Sequence, residues 1–543
     1  MKARFILPLL LLLAACGPKE LQVVQTDPLV KIFPETAIPA PFTDTTQAVR
    51  GGHATLQFAL RAFSTLEDVT VSFSCEGLET LRCGLVGYVG VEEYATDPAH
   101  DALRPVSGQF PDPILTQGPW EVPAGRTTAA WVTVKVPEDA APGVYTGVFR
   151  LSGRHFSRSL PVSIRVWPIS LEKPVLQSTN WNFDFPLCMK MWNGGETVEP
   201  FSPLHEQYLW DMAAALKEAY QTMTRIPLFG LVDMEKTGEG YRFDFSHFNR
   251  VARIYEEAGV LSRLEGGEIG HRSEPVWTSG FSLFLPDGQG GIESHKIDEP
   301  CVKEFYSAFL PALVDNLKAN GWMDRYCQQV CDEPIDVNAD DYRRVVAFVK
   351  SIAPEIKVME ALQTTKLTGA VDIWVPQLDT WHNNYDFYRS RQAAGDEVWF
   401  YTCCFPRGEY PNRFMEQPLI KGRILYWMAY KYGATGHLHW GFNYWNEQTF
   451  RRADLMGTGT ILPGGDAWIV YPGYHEFLRS IRFEAMRDGI EDHTLLSMLE
   501  KRDPAAARAL CGSMVTNWWV YTTSPTDFRV LRRSLLEALS RPE

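Results

Sequence analysis

From Leu21 to Ser170 apolar and polar residues alternate in short runs broken by glycine and proline, as in "ATLQFALRA", "VTVSFSC", "AAWVTVKVPEDAAPGVYTGVFRLSG" and "LPVSIRVWPI". A period of two sends one face of each run into a core and the other into water. The stretch therefore predicts a β-sandwich over residues 20–170, with "PEDAAPGVY" as a tight inter-strand connection. "VWPISLEKP" reads as the exit, because proline cannot continue strand pairing.

Beyond it the rhythm changes, and apolar strand-like runs alternate with helical stretches. "QSTNWNFDF", "TRIPLFGLV", "LSRLEGGEIG", "DRYCQQVCDEP", "IKVMEALQ", "VDIWVPQL", "EVWFYTCC" and "GHLHWGFNYW" count as eight strands. Between them lie helices expected over about Pro203–Met223, through "HFNRVARIYEEAG", over Cys301–Asn320 and Ala339–Ile352, from Tyr385, and over Leu419–Tyr432. This pattern predicts a (β/α)8 TIM-like barrel over residues 175–450. An open doubly wound sheet fits the alternation too, but no glycine-rich phosphate fingerprint follows the first strand. Residues 451–543 read as a C-terminal elaboration packed on the barrel, a glycine-rich segment followed by amphipathic helices. Within it, "RFEAMRDGIEDH" reads as a solvated helix face carrying i,i+4 ion pairs.

The length of 543 residues exceeds one ordinary core, and 45% hydrophobic with 22% charged residues is a globular composition. The net charge of −14 excludes nucleic acid as a partner, since phosphate binding needs a basic stripe. The start, "MKARFILPLLLLLAACGPKE", has a basic head, an apolar run too short to remain as a spanning helix, and small residues before Cys16. "LAAC" resembles the lipobox of bacterial lipoproteins. That resemblance implies that residues 1–16 are a signal peptide with Cys16 as its lipidated residue, and the protein is expected to be exported and lipid-anchored to the cell envelope, at the outer membrane; an ordinary signal peptide with an incidental cysteine is the alternative. The nine further cysteines form no readable disulfide framework; Cys75 and Cys83 could pair across a hairpin, but free thiols are expected. There is no HExxH motif, and His437 with His439 in "GHLHW" lacks a carboxylate nearby in sequence, so neither a metal nor a cofactor is expected.

Asp-Glu occurs three times. Asp298 and Glu299 precede a helix, where Asp298 can cap and Pro300 sits in the first turn. Asp396 and Glu397 stand where a strand begins, on a barrel's stability face. Asp332 and Glu333, followed by Pro334, stand where the fourth strand ends, the end at which barrel active sites form. Adjacent acids cannot easily bracket a sugar as the two carboxyls of ordinary glycosidases do, some 5 Å or more apart. A substrate with its own nucleophile removes that difficulty. A 2-acetamido group attacks the anomeric carbon, one acid orients its N–H, and the other protonates the leaving oxygen. Two such close negative groups also resist double ionisation, which raises one pKa.

The "DEP" of Asp332–Pro334, the stretch "VWFYTCCFPRGEYPNRFMEQPLIKGRILYWMAYKYGATGHLHWGFNYW" from Val398 to Trp445, "GGDAWIVYPG" and "SIRFEAMRDGIEDHTLL" together resemble glycoside hydrolase family 123, the β-N-acetylgalactosaminidases of bacterial glycan degraders. The resemblance implies Asp332 as the acetamido-orienting residue, Glu333 as general acid/base, retention of configuration, and terminal β-linked GalNAc as the sugar removed from a glycolipid or glycoprotein glycan. A non-catalytic glycan-binding lipoprotein on the same scaffold is the rival reading. Further substrate-binding candidates come from strand ends: Tyr401, Trp374, Gln377, Trp440, Asn443, Trp445 and His271, with Trp181 and Asp184 of the first strand behind them.

Overall fold

The computed structural model describes residues 21–92, 102–104, 107–238, 240–456 and 461–541. The leader and Cys16 lie outside these residues. Ten strands between Leu21 and Ser170 form two five-stranded sheets, as the alternation predicts. In strand Phe156–Ser170, Val162, Ile164 and Val166 are buried while Ser163 and Arg165 face out. Phe58 of one sheet stacks on Phe149 of the other with centroids 3.9 Å apart, so the two sheets share one apolar core.

Six parallel strands follow in the order Met223–Arg225, Arg263–Glu265, Tyr326–Gln328, Lys357–Leu362, Ile373–Pro376 and Glu397–Val398. Three more, Gln177–Asn180, Gly436–His439 and Phe400–Tyr401, pair in parallel in that order. Trp399 divides the seventh expected strand in two. The Thr222 amide donates to the Ser178 carbonyl (3.0 Å), joining the first strand to the chain entering the second. Helices Pro203–Glu218, Ser246–Ala258, Pro300–Ala319, Ala339–Ile352, Leu378–Asn383, Tyr385–Ala393 and Ile420–Tyr432 occupy the connections. This half is mixed α/β, and its parallel strands are mostly buried, as in Ile373–Pro376, because parallel strands are covered on both faces.

Several expectations are corrected. The helix expected to reach Met223 stops at Glu218; Tyr220 takes a left-handed φ of 55° and Met223 opens a strand. Two β-hairpin elements, Asp233–Asp244 and Gly270–His295, interrupt the alternation. Asp298 does not cap a helix: Glu299 holds that position, and Asp298 reaches Arg344 (3.0 Å). Pro300 does occupy the first turn.

The largest correction concerns "RFEAMRDGIEDH". It lies in helix Ile481–Arg502, where Arg482, Glu484, Arg487, Glu491 and Asp492 are buried rather than solvated. Arg482 pairs with Asp112 (2.7 Å), Glu484 with Arg82 (2.5 Å), and Glu491 with His53 (2.6 Å), all partners from the N-terminal sheets. Asp492 binds Arg423 (2.6 Å) and Arg532 (2.8 Å) from other helices. Charge spacing along a helix looks the same whether water or a distant ion answers it, so local pattern could not separate the two. Cys75 and Cys83 are free thiols, and no described helix is long and apolar enough to cross a membrane.

Candidate active site

Asp332 and Glu333 stand a few residues past strand Tyr326–Gln328, and the chain between is fixed by its neighbour. Glu360, buried in strand Lys357–Leu362, accepts the main-chain N–H of Val330 (3.1 Å) and Cys331 (3.3 Å) and the Tyr342 hydroxyl (2.5 Å). Glu333 N–H donates to the Ala361 carbonyl (3.1 Å), and Gln363 N–H to that of Pro334 (3.0 Å). Between these ties Glu333 has a φ of 51°, the left-handed region that side-chain-bearing residues avoid. Such a conformation costs about 1–3 kcal/mol and persists only where the surroundings over-determine it, a state common at functional sites.

Arg272 supplies part of that determination. Its terminal nitrogens donate to the main-chain carbonyls of Asp332 (3.0 Å) and Glu333 (2.7 Å), and its guanidinium stacks on Trp277 at 3.8 Å. The carboxylates keep other partners. Asp332 accepts from the Gln329 side-chain amide (3.1 Å). Burial pushes its pKa well above the usual range, aided by Glu333 and Glu268, against Arg272 and Arg225. Arg225 forms an ion pair with Glu268. Burial also raises Glu333, opposed by the Tyr401 hydroxyl, Arg272 and Gln363.

Tyr401 donates its hydroxyl proton to Glu333 Oε1 and accepts from the side-chain amides of Gln377 (3.1 Å) and Gln363 (3.2 Å). Two strand-end candidates thus reach Glu333, Tyr401 directly and Gln377 through the Tyr401 hydroxyl. Trp440 joins through an acid that the sequence reading missed. Its indole donates to Asp466 Oδ1 (3.0 Å), a fully buried carboxyl raised to about 7 by burial, with Glu333 adding to the rise against Arg413 and Trp440. The other oxygen, Oδ2, has no protein partner. Half-buried Trp440 packs against Tyr444 (5.3 Å), which meets Phe185 (6.0 Å), and both of these rings are exposed.

The remaining candidates lie elsewhere. Trp374 faces helix Tyr385–Ala393, packing on Phe387 and Tyr388 with its indole on Asp396 (2.7 Å). Asn443 spends its amide on the Phe183 carbonyl (2.7 Å) and Tyr208 (2.9 Å), and Trp445 is buried with its indole on the Val470 carbonyl (2.8 Å). His271 is exposed on a hairpin, bonded to Ser294 (2.5 Å). Trp181 is buried on Glu265 (3.1 Å), and Asp184 faces His205 (3.3 Å). His437 and His439 are buried, and burial drives both pKa values down, His437 to about 3. Gln363, Arg272, Glu360 and Asp466 were missed. Only Asp466 carried a visible signal, a lone acid in the glycine-rich, apolar "PGGDAWIV".

Acids raised by burial and mutual proximity, one of them linked to a phenol, can hold one proton between them and exchange it with a bound group. The family model for the glycoside hydrolase 123 catalytic domain matches residues 196–499. Among solved structures, a family 123 glycoside hydrolase from Clostridium perfringens superposes with a TM-score of 0.73 at 16% identity, covering 96% of this chain and 97% of that one. The endo-β-1,4-mannanase of Thermotoga petrophila matches with a TM-score of 0.37 at 11% identity, over 60% of this chain and 77% of that one. No curated protein matches the sequence.

Proposed function

The chain belongs to glycoside hydrolase family 123, and on that premise we propose that it removes terminal β-linked N-acetylhexosamine, GalNAc foremost, by a retaining, substrate-assisted mechanism. The adjacency of Asp332 and Glu333, with Tyr401 on the second, carries this reading. Consecutive Cα atoms are about 3.8 Å apart, so the two carboxyls do not easily bracket an anomeric carbon as acids drawn from different strands do. The attacking atom then comes from the sugar's 2-acetamido oxygen.

Asp332 accepts the acetamido N–H and steadies the cationic oxazolinium-like intermediate; Glu333 protonates the leaving oxygen and later deprotonates water. Burial raises both acids in the free protein. An N–H donated to Asp332 favours its anion, which leaves Glu333 as the acid that carries the proton the departing aglycone needs. The rim of Trp440, Tyr444 and Phe185 suits the apolar face of a ring.

We read the parallel strands as one closed (β/α)8 barrel and the N-terminal sheets as a β-sandwich, which places the acids beyond the carboxyl end of the fourth strand. The leader assigns the protein to the envelope through Cys16, with its substrate a glycolipid or glycoprotein glycan. Glycolipid glycan hydrolysis by the Clostridium perfringens relative supports the first. A chromogenic β-GalNAc glycoside is expected to be cleaved and inhibited by a thiazoline mimic of the intermediate, while the β-galactoside resists. Equal turnover of both sugars, or indifference to the thiazoline, overturns acetamido participation.

A further inference from the structure

We propose that His295, Glu299 and Cys301 form a zinc site that ties the hairpin carrying Arg272 to the helix behind it. The three donors come from one seven-residue stretch, "HKIDEPC", that turns from a strand into a helix. His295 ends strand Ile292–His295, Glu299 precedes helix Pro300–Ala319, and Cys301 lies in its first turn. Their ligand atoms face one another: His295 Nδ1 is 2.9 Å from Glu299 Oε2 and 3.6 Å from Cys301 Sγ, and the sulfur is 4.0 Å from that oxygen.

Those separations match a metal's ligand shell. Zinc bonds of about 2.0–2.1 Å to nitrogen, 2.0–2.2 Å to oxygen and 2.3 Å to sulfur, at tetrahedral angles, give edges of about 3.3–3.6 Å. The observed edges bracket that range, and shifts of a few tenths of an ångström close the set. A thiolate with an imidazole selects zinc over magnesium or calcium. One carboxylate and one thiolate neutralise the dication, and the Cys301 proton leaves to solvent as the bond forms.

The groups behind the donors fit as well. Glu299 Oε1 is engaged by the Lys296 amide (2.7 Å), which presents Oε2 to the cluster. The far ring nitrogen of His295 lies 3.5 Å from the Glu293 carboxylate, the outer partner that metal-bound histidines commonly have. All three donors are partly exposed, so water can enter and supply the fourth ligand.

The placement gives such an ion a structural task. Strand Ile292–His295 pairs with Phe281–Pro286, which pairs with Gly270–Arg272, and Arg272 grips the carbonyls of both catalytic acids. Anchoring the outer strand stiffens the hairpin from which that grip is made.

The full chain, loaded with zinc chloride and dialysed, is expected to retain one zinc by elemental mass spectrometry and to melt at a higher temperature than the chelator-treated protein. With cobalt(II) in place of zinc it is expected to show a thiolate-to-cobalt charge-transfer band. Cys301→Ser should abolish the band and His295→Ala the retention, while Cys404→Ser keeps both. Sub-stoichiometric zinc after dialysis, or a cobalt spectrum unchanged by Cys301→Ser, overturns the site whatever sugar the enzyme cleaves.

Discussion

Arg272 holds Glu333 by its main-chain carbonyl, at 2.7 Å, and leaves the carboxylate to Tyr401. A cation bound directly to the carboxylate would stabilise the anion and disable it as an acid. Gripping the backbone instead supports a left-handed residue while leaving its side chain free to carry a proton.

On the proposed mechanism, Glu333→Gln removes the proton that the leaving oxygen takes up. General acid–base catalysis contributes about 10²–10⁴-fold, so kcat on a β-GalNAc glycoside with a poor leaving group is expected to fall by that order. A glycoside with an activated phenol needs less protonation and should lose less. Steady-state rates on a series of aglycones check this; equal losses across the series would remove Glu333 from the acid role.

Tyr401→Phe deletes a donor that favours the Glu333 anion. Such a bond to a charged group is worth about 1.5–3 kcal/mol, or about one to two pKa units. The Glu333 pKa rises further, and because the acid acts protonated, the alkaline limb of kcat/KM should move up by that amount. A pH–rate profile of both proteins reads it, and an unmoved limb would uncouple Tyr401 from the acid.

How far the sequence spoke depended on where each partner sits along the chain. Asp332, Glu333 and Tyr401 were legible because strand ends and an acid pair followed by proline are local signals. Arg272 lies about 60 residues from the acids it grips, and Asp112 lies 370 from Arg482, so neither relationship leaves a trace in any window. Trp374 shows a second limit. A strand buried on both faces has no polar side to mark inward from outward, so alternation could not tell that Trp374 faces the helices whereas Tyr401 faces the acids.

Arg482→Ala strips Asp112 of its buried partner. Breaking such a pair from one side costs about 3–5 kcal/mol because the surviving charge stays desolvated. The variant should melt well below wild type in calorimetry, whereas an exposed control, Arg242→Ala, should change little.

Glu491 predicts a pH-dependent stability. Burial would raise its pKa, but His53, Arg487 and Tyr220 outweigh this and hold it at about 2, below the ordinary 4.5. The folded state therefore favours the anion, so this contribution is complete above about pH 4.5 and fades as pH drops toward 2. Burial together with Arg487 lowers the His53 pKa, against the pull of Glu491. The melting-temperature gap between wild type and Glu491→Gln should be wide at neutrality and narrow in acid; a constant gap would contradict the ionised assignment.

Helix Ile481–Arg502 also limits how the gene can be divided. The segment matched by the family's catalytic-domain model, residues 196–499, excludes Asp112, Arg82 and His53. Expressed alone, it would take Asp112 from Arg482, Arg82 from Glu484 and His53 from Glu491, on a surface shaped for the missing sheets. The amino-terminal sheets are thus no detachable accessory module, and a hydrolase core cut from this chain would have to carry them with it.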